Sequence, residues 1–103
     1  MAMSSHDIVH HMACDFSQWI MEYVPEWEHP NEPADAYIDT IVAAFGDSPT
    51  RDSVIAAYQS GVAIKAVQTD MNTGWETDLI TDDAAANLVR RALLNNFGPD
   101  SIT

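Results

Sequence analysis

The chain has almost no positive charge. Its 103 residues include four Lys and Arg against sixteen Asp and Glu, a formal charge of −12, and Lys65 is the only lysine. A surface of that sign repels phosphate backbones and anionic lipid headgroups, so direct nucleic-acid or membrane-surface binding is excluded as a primary activity. Cysteine is also scarce. Cys14 stands alone, which rules out an internal disulfide and fits a reducing compartment such as the cytoplasm. Apolar runs are too short to cross a bilayer, and no basic segment followed by an apolar one suggests a signal peptide. Glycine is rare, with four residues, and no Gly-rich phosphate loop appears. No G-x-S-x-G elbow surrounds Ser60, and there is no HExxH or paired-cysteine zinc signature. Catalysis has no sequence support, and no cofactor is expected.

What the chain does have is 47% apolar residues, enough for one core in a single domain of this length. The strongest periodic signal runs from His6 to Val24. At 100° per residue, Ile8, Val9, Met12, Ala13, Phe16, Trp19, Ile20, Tyr23 and Val24 share one arc. The polar side holds Asp7, His10, His11, Cys14, Asp15 and Glu22. Ser4 or Ser5 suits the start and Pro25 stops the helix. An arc this wide requires cover from other elements, which makes this helix the expected spine of the core.

The chain then passes through a stiff acidic loop, Glu26-Trp27-Glu28-His29-Pro30-Asn31-Glu32-Pro33. A second helix is expected from about Pro33 to Phe45, with Tyr37, Ile38, Ile41, Val42 and Phe45 inward and Gly46 at its end. Ser48-Pro49 reads as the start of a third helix, with Val54, Ile55 and Tyr58 buried and Gly61 ending it. From Val62 to Thr69 the residues are richer in β-branched types, Asp70 to Gly74 reads as a turn, and Trp75 to Thr81 alternates imperfectly. This predicts a β-hairpin between the third and fourth helices; extension of the third helix through Val67 is the other reading. Thr81 then caps a last helix whose first turn carries Asp82 and Asp83. Ala85, Leu88, Val89, Ala92, Leu93 and Phe97 line its inner side, Gly98 closes it, and Asp100 to Thr103 reads as a frayed tail. The expected fold is α+β, four helices and one hairpin, with an all-α bundle as the alternative.

Two kinds of residue could carry function. His6, His10 and Cys14 recur at i, i+4 and i+8, a spacing that can bring ligands toward one metal. Each step rotates the ligand by about 40° around the helix, so the three converge poorly. The acids are the broader signal. Eight lie between Glu22 and Asp52, against Arg51, and five between Asp70 and Asp83, with no Lys or Arg in the second stretch. Glu76 and Asp78 on one face of a strand would stand about 6–7 Å apart, close to the phosphate spacing of a nucleic-acid strand. Trp27 and Trp75 lie among these acids, as interface anchors often do. The expected partner-binding surface is therefore Asp70, Trp75, Glu76, Asp78, Asp82 and Asp83 together with Glu26, Trp27, Glu28 and Glu32.

In size, charge and lack of catalytic motifs the chain resembles the small acidic inhibitors that phages carry against host defence, including DNA-mimicking anti-CRISPR proteins. The resemblance is one of composition. It implies a non-catalytic protein that occludes a basic, nucleic-acid-binding surface of a larger partner, such as a nuclease or CRISPR effector complex. Two other readings come from the residues alone. One is a small homo-oligomeric regulatory or adaptor protein using part of an apolar helix face; the other is a metal-binding protein using the histidine cluster.

Overall fold

In a computed structural model of the chain, residues 5–24, 33–72 and 80–102 are described, with backbone only at 5, 6 and 102. They form an all-α bundle of five helices: α1 (Ser5–Tyr23), α2 (Asp35–Phe45), α3 (Arg51–Gln59), α4 (Val62–Asn72) and α5 (Asp82–Phe97). A 3-10 turn, Pro99–Ile102, follows α5.

The first helix forms as its periodicity dictates. Ile8, Val9, Met12, Ala13, Phe16, Ile20 and Val24 are buried, while Trp19 and Tyr23 pack partly buried at the edge. Its partners are α2 and α5. From α2 come Tyr37, Ile41, Ala44 and Phe45, and from α5 come Ala85, Leu88, Val89, Ala92 and Leu93. The small residues Ala85 and Ala92 let α5 approach α1 closely; Phe16 and Ile20 fill the space between. Helix α4 completes the core with Ala63, Val67 and Met71.

The expected β-hairpin is absent, and the α+β fold with it. Val62 to Thr69, which was to supply its first strand, lies within helix α4, Val62–Asn72. The reason lies in the spacing. The buried residues Ala63, Val67 and Met71 recur every four positions, whereas a strand would bury alternate ones. Val62, which would share a strand face with Ile64, is instead 60% exposed. Ala63, Lys65, Ala66 and Gln68 are helix formers, and the β-branched residues between them cost a helix only a few tenths of a kcal/mol each. Residues 73–79, which include most of the expected second strand, lie outside the described residues.

The helix boundaries follow from capping. Helix α3 starts at Arg51 rather than at Pro49, because Thr50 is the better cap. Its hydroxyl accepts from Ser53 N–H at 3.1 Å and the Ser53 hydroxyl accepts from Thr50 N–H at 2.8 Å, a reciprocal capping box. Pro49 is buried ahead of the cap. Between α3 and α4 the chain needs only Ser60 and Gly61, and Gly61 takes φ +84°, a conformation that costs other residues about 1 kcal/mol or more. Thr81 caps α5 by accepting from Ala84 N–H at 3.1 Å. The end of the chain is not frayed as expected. Ser101 is fully buried in the 3-10 turn, and its hydroxyl donates to Gly98 C=O at 2.7 Å.

The entry into α5 is held from α4. Ile80 N–H donates to the Asn72 side-chain oxygen at 2.8 Å, and Ile80 C=O accepts from Asn72 Nδ2 at 3.0 Å and Gln68 Nε2 at 3.3 Å. One buried peptide group is thus paired by side chains where no ladder is present to do it.

Phe16 fills the centre of the α1 face and is fully buried. Phe16→Ala should lower unfolding free energy by about 3–5 kcal/mol, and Thr81→Ala by about 1 kcal/mol. Urea denaturation followed by far-UV circular dichroism checks both; equal small losses would place Phe16 outside the core.

Candidate functional site

The hydrogen bonds between helices set their directions. On α1, Asp15 meets Asn95 and Asn96 of α5, while Trp19 and Glu22 meet Arg91. Later residues of α1 therefore face earlier residues of α5, and the two helices run antiparallel. Thr40 of α2 donates to Asp70 near the end of α4 at 2.6 Å, and the last turn of α4 grips Ile80 at the approach to α5. Ala43, almost one turn beyond Thr40, lines a groove with Gly61 and Val62 at the start of α4, so α2 runs opposite to α4. The C-termini of α1 and α4 and the N-termini of α2 and α5 thus gather at one end of the bundle.

This end is acidic. Asp35 opens α2, Asp39 follows one turn later, and Asp82 and Asp83 form the first turn of α5; all four are exposed. None of the four makes an ion pair among the described residues. Local physics favours acids at these positions, since a helix N-terminus carries partial positive charge. The same placement leaves their carboxylates in solvent. Asp70 is different from the other expected surface residues. It is half-buried, and one of its oxygens is taken by Thr40 in an α2–α4 tie. Glu26, Trp27, Glu28, Glu32, Trp75, Glu76 and Asp78 lie outside the described residues.

The cations are placed elsewhere or engaged. Arg91 lies over the Trp19 ring at 4.1 Å and donates to Glu22 at 2.6 Å. Arg51 sits at the start of α3, 3.8 Å from exposed Asp52, and Lys65 stands one turn into α4.

At the metal candidates, Cys14 Sγ lies 3.7 Å from His10 Nε2 on the exposed face of α1, and the His6 side chain lies outside the described residues. Among the described residues no group of three or more His, Cys, Asp or Glu is placed to hold a metal ion.

One charged group is inside the protein. Asp15 falls on the polar side of the α1 wheel but is only 6% exposed. Its two oxygens accept from Asn95 Nδ2 at 3.1 Å and Asn96 Nδ2 at 2.8 Å. Burial pushes its carboxyl above the ordinary 3.8, against the opposing pull of the Asn96 and Asn95 amides and of nearby His11 and Arg91. Sequence reading placed Asp15 among solvated residues. The available signal was the Asn95-Asn96 pair near the end of the last helix, two poor helix formers whose amides need acceptors.

The chain matches no protein-family model, no curated protein and no solved structure.

Asp15 makes stability depend on pH in a defined direction. Its folded pKa exceeds its unfolded value, so between the two the folded state holds a proton the unfolded state has lost. Stability should rise as pH falls from neutral through the folded value and level off below the unfolded one. Other carboxylates repel less in acid and add to the trend, so the comparison is with Asp15→Asn. The difference in Tm between the parent and Asp15→Asn should shift in the parent's favour as pH is lowered toward 4. A difference constant with pH would remove Asp15 from the account.

Proposed function

We propose that the protein is a non-catalytic binding protein whose acidic end occupies a basic, nucleic-acid-binding surface of a larger partner, in the manner of phage anti-defence inhibitors. The observation that supports this reading is that Asp35, Asp39, Asp82 and Asp83, exposed and without an ion pair among the described residues, stand at the N-termini of two helices at one end of the bundle. Acids that are far apart in sequence thus contribute to one field.

The fold suits such a role. Four helix termini hold the end on a rigid core, so the carboxylates are displayed without a large ordering cost on binding. Exposed charges act over about 8 Å at physiological ionic strength, so they steer a basic partner during approach and act most strongly on the association rate. A nuclease or CRISPR effector complex has the required chemistry, because its nucleic-acid channel is lined with Lys and Arg. Trp27 and Trp75 supply apolar anchors within the acidic stretches.

The test uses purified CRISPR effector complexes and nucleases, assayed for DNA capture with and without the protein. At least one should lose DNA binding, and rising salt should relieve the loss. The double change Asp82→Lys and Asp83→Lys should slow association about tenfold. The same reversal at Asp47 and Asp52, away from this end, should have little effect. Inhibition indifferent to salt and to Asp82 and Asp83 would sink the reading.

A further inference from the structure

A second surface lies away from the acidic end's exposed carboxylates, on the outer face of α4. There Val62, Lys65, Ala66, Thr69 and Asp70 line a groove with Ala43 of α2, with a cavity volume of about 640 Å³. The five α4 residues follow i, i+3, i+4, i+7 and i+8, a continuous stripe along one helix face. The opposite face, Ala63, Val67 and Met71, is already buried in the core. Helix α4 therefore has two faces suited to packing, and among the described residues only one is covered.

We propose that this stripe is the seat of a second copy of the chain, with the two α4 helices packed antiparallel across a two-fold axis. The arrangement of charge selects that occupant. Lys65 and Asp70 lie on the same stripe at opposite ends of it. When two such stripes meet head to tail, Lys65 of each copy faces Asp70 of the other, and Ala66 faces Thr69. Both pairs form at once because a two-fold contact repeats every interaction. Lys65 makes no ion pair among the described residues. Asp70 gives Thr40 only its Oδ2, and its Oδ1 makes no hydrogen bond among the described residues. Ala43 and Ala66 are small, which lets helix axes approach to about 8–10 Å. Val62, 60% exposed, adds apolar surface to the same groove.

The acidic end reinforces the direction of packing. Asp70 and the C-terminus of α4 belong to that end, and Lys65 lies toward the other. Antiparallel packing places each acidic end beside its partner's lysine and points the two ends apart, whereas parallel packing would bring them together. The stripe shares Asp70 with the acidic end but none of the exposed Asp35, Asp39, Asp82 and Asp83, so the inference stands whichever partner those four meet.

Multi-angle light scattering and sedimentation on the intact protein, over a micromolar concentration series, test it. The parent chain should dimerise. Lys65→Glu makes the stripe wholly acidic and Asp70→Lys makes it wholly basic, so each alone should weaken dimerisation by about tenfold or more. Mixed in equal amounts the two variants regain both ion pairs, one reversed, and should form a heterodimer. Val62→Lys, at an exposed position that leaves the core intact, should also weaken the dimer, with unchanged far-UV circular dichroism. A parent chain that is monomeric throughout the series overturns the proposal. So does a dimer unaffected by Lys65→Glu and Val62→Lys, or a mixture of folded variants that fails to associate.

Discussion

The apolar arc of α1 has to be covered from two sides, and the rest of the bundle is arranged to do so. Met12, Phe16 and Ile20 are fully buried because α2 lies on one flank and α5 on the other. Burial of side chains of this size contributes about 1.5–3 kcal/mol each, more than any cap or ion pair in the molecule. Helix α4 then closes the gap between α2 and α5 with Ala63, Val67 and Met71. The polar ties follow this packing. Asp15 with Asn95 and Asn96, Arg91 with Glu22 and Trp19, and Thr40 with Asp70 all lie where two helices of the core already meet.

That geometry turns a diffuse property of the composition into a located one. A charge of −12 spread evenly would act mainly to keep the chain soluble. Here the helix directions bring the first turns of α2 and α5 to one end, and Arg91 is taken up by the α1–α5 seam. The four exposed carboxylates of Asp35, Asp39, Asp82 and Asp83 then sit at or near the N-termini of two helices, where the backbone dipoles partly offset their repulsion.

Much of this was legible in the residues. The buried face of α1, the inward residues of α2 and α5, the Thr81 cap and the glycine stops could be read directly, because each rests on local pattern and stereochemistry. Helix α4 was misread for a physical reason. Val62, Ile64, Val67 and Thr69 have β propensity, but propensity on so short a segment is outweighed by which residues the neighbouring helices can cover. The period-four spacing of Ala63, Val67 and Met71 was the competing signal, and two small or flexible side chains made it faint. Asp15 was missed because a wheel sorts residues by polarity, and a carboxylate at the edge of an apolar arc is exposed or buried according to what the facing helix offers. That Asp35, Asp39, Asp82 and Asp83 share one end of the bundle depends on helix directions that no local pattern encodes.

The grip of Asn72 and Gln68 on Ile80 has a consequence for how this protein can change. Asn72 supplies both halves of the pairing that a neighbouring strand would otherwise give the Ile80 peptide. The point where the chain re-enters the core is thereby fixed by side chains of α4, independently of the sequence that precedes it. A connection held at both ends can be lengthened at a free-energy cost that grows only with the logarithm of its length. The sequence between Asn72 and Ile80 can therefore change in length and composition while the five helices keep their arrangement, because the re-entry point belongs to α4 and not to the connection.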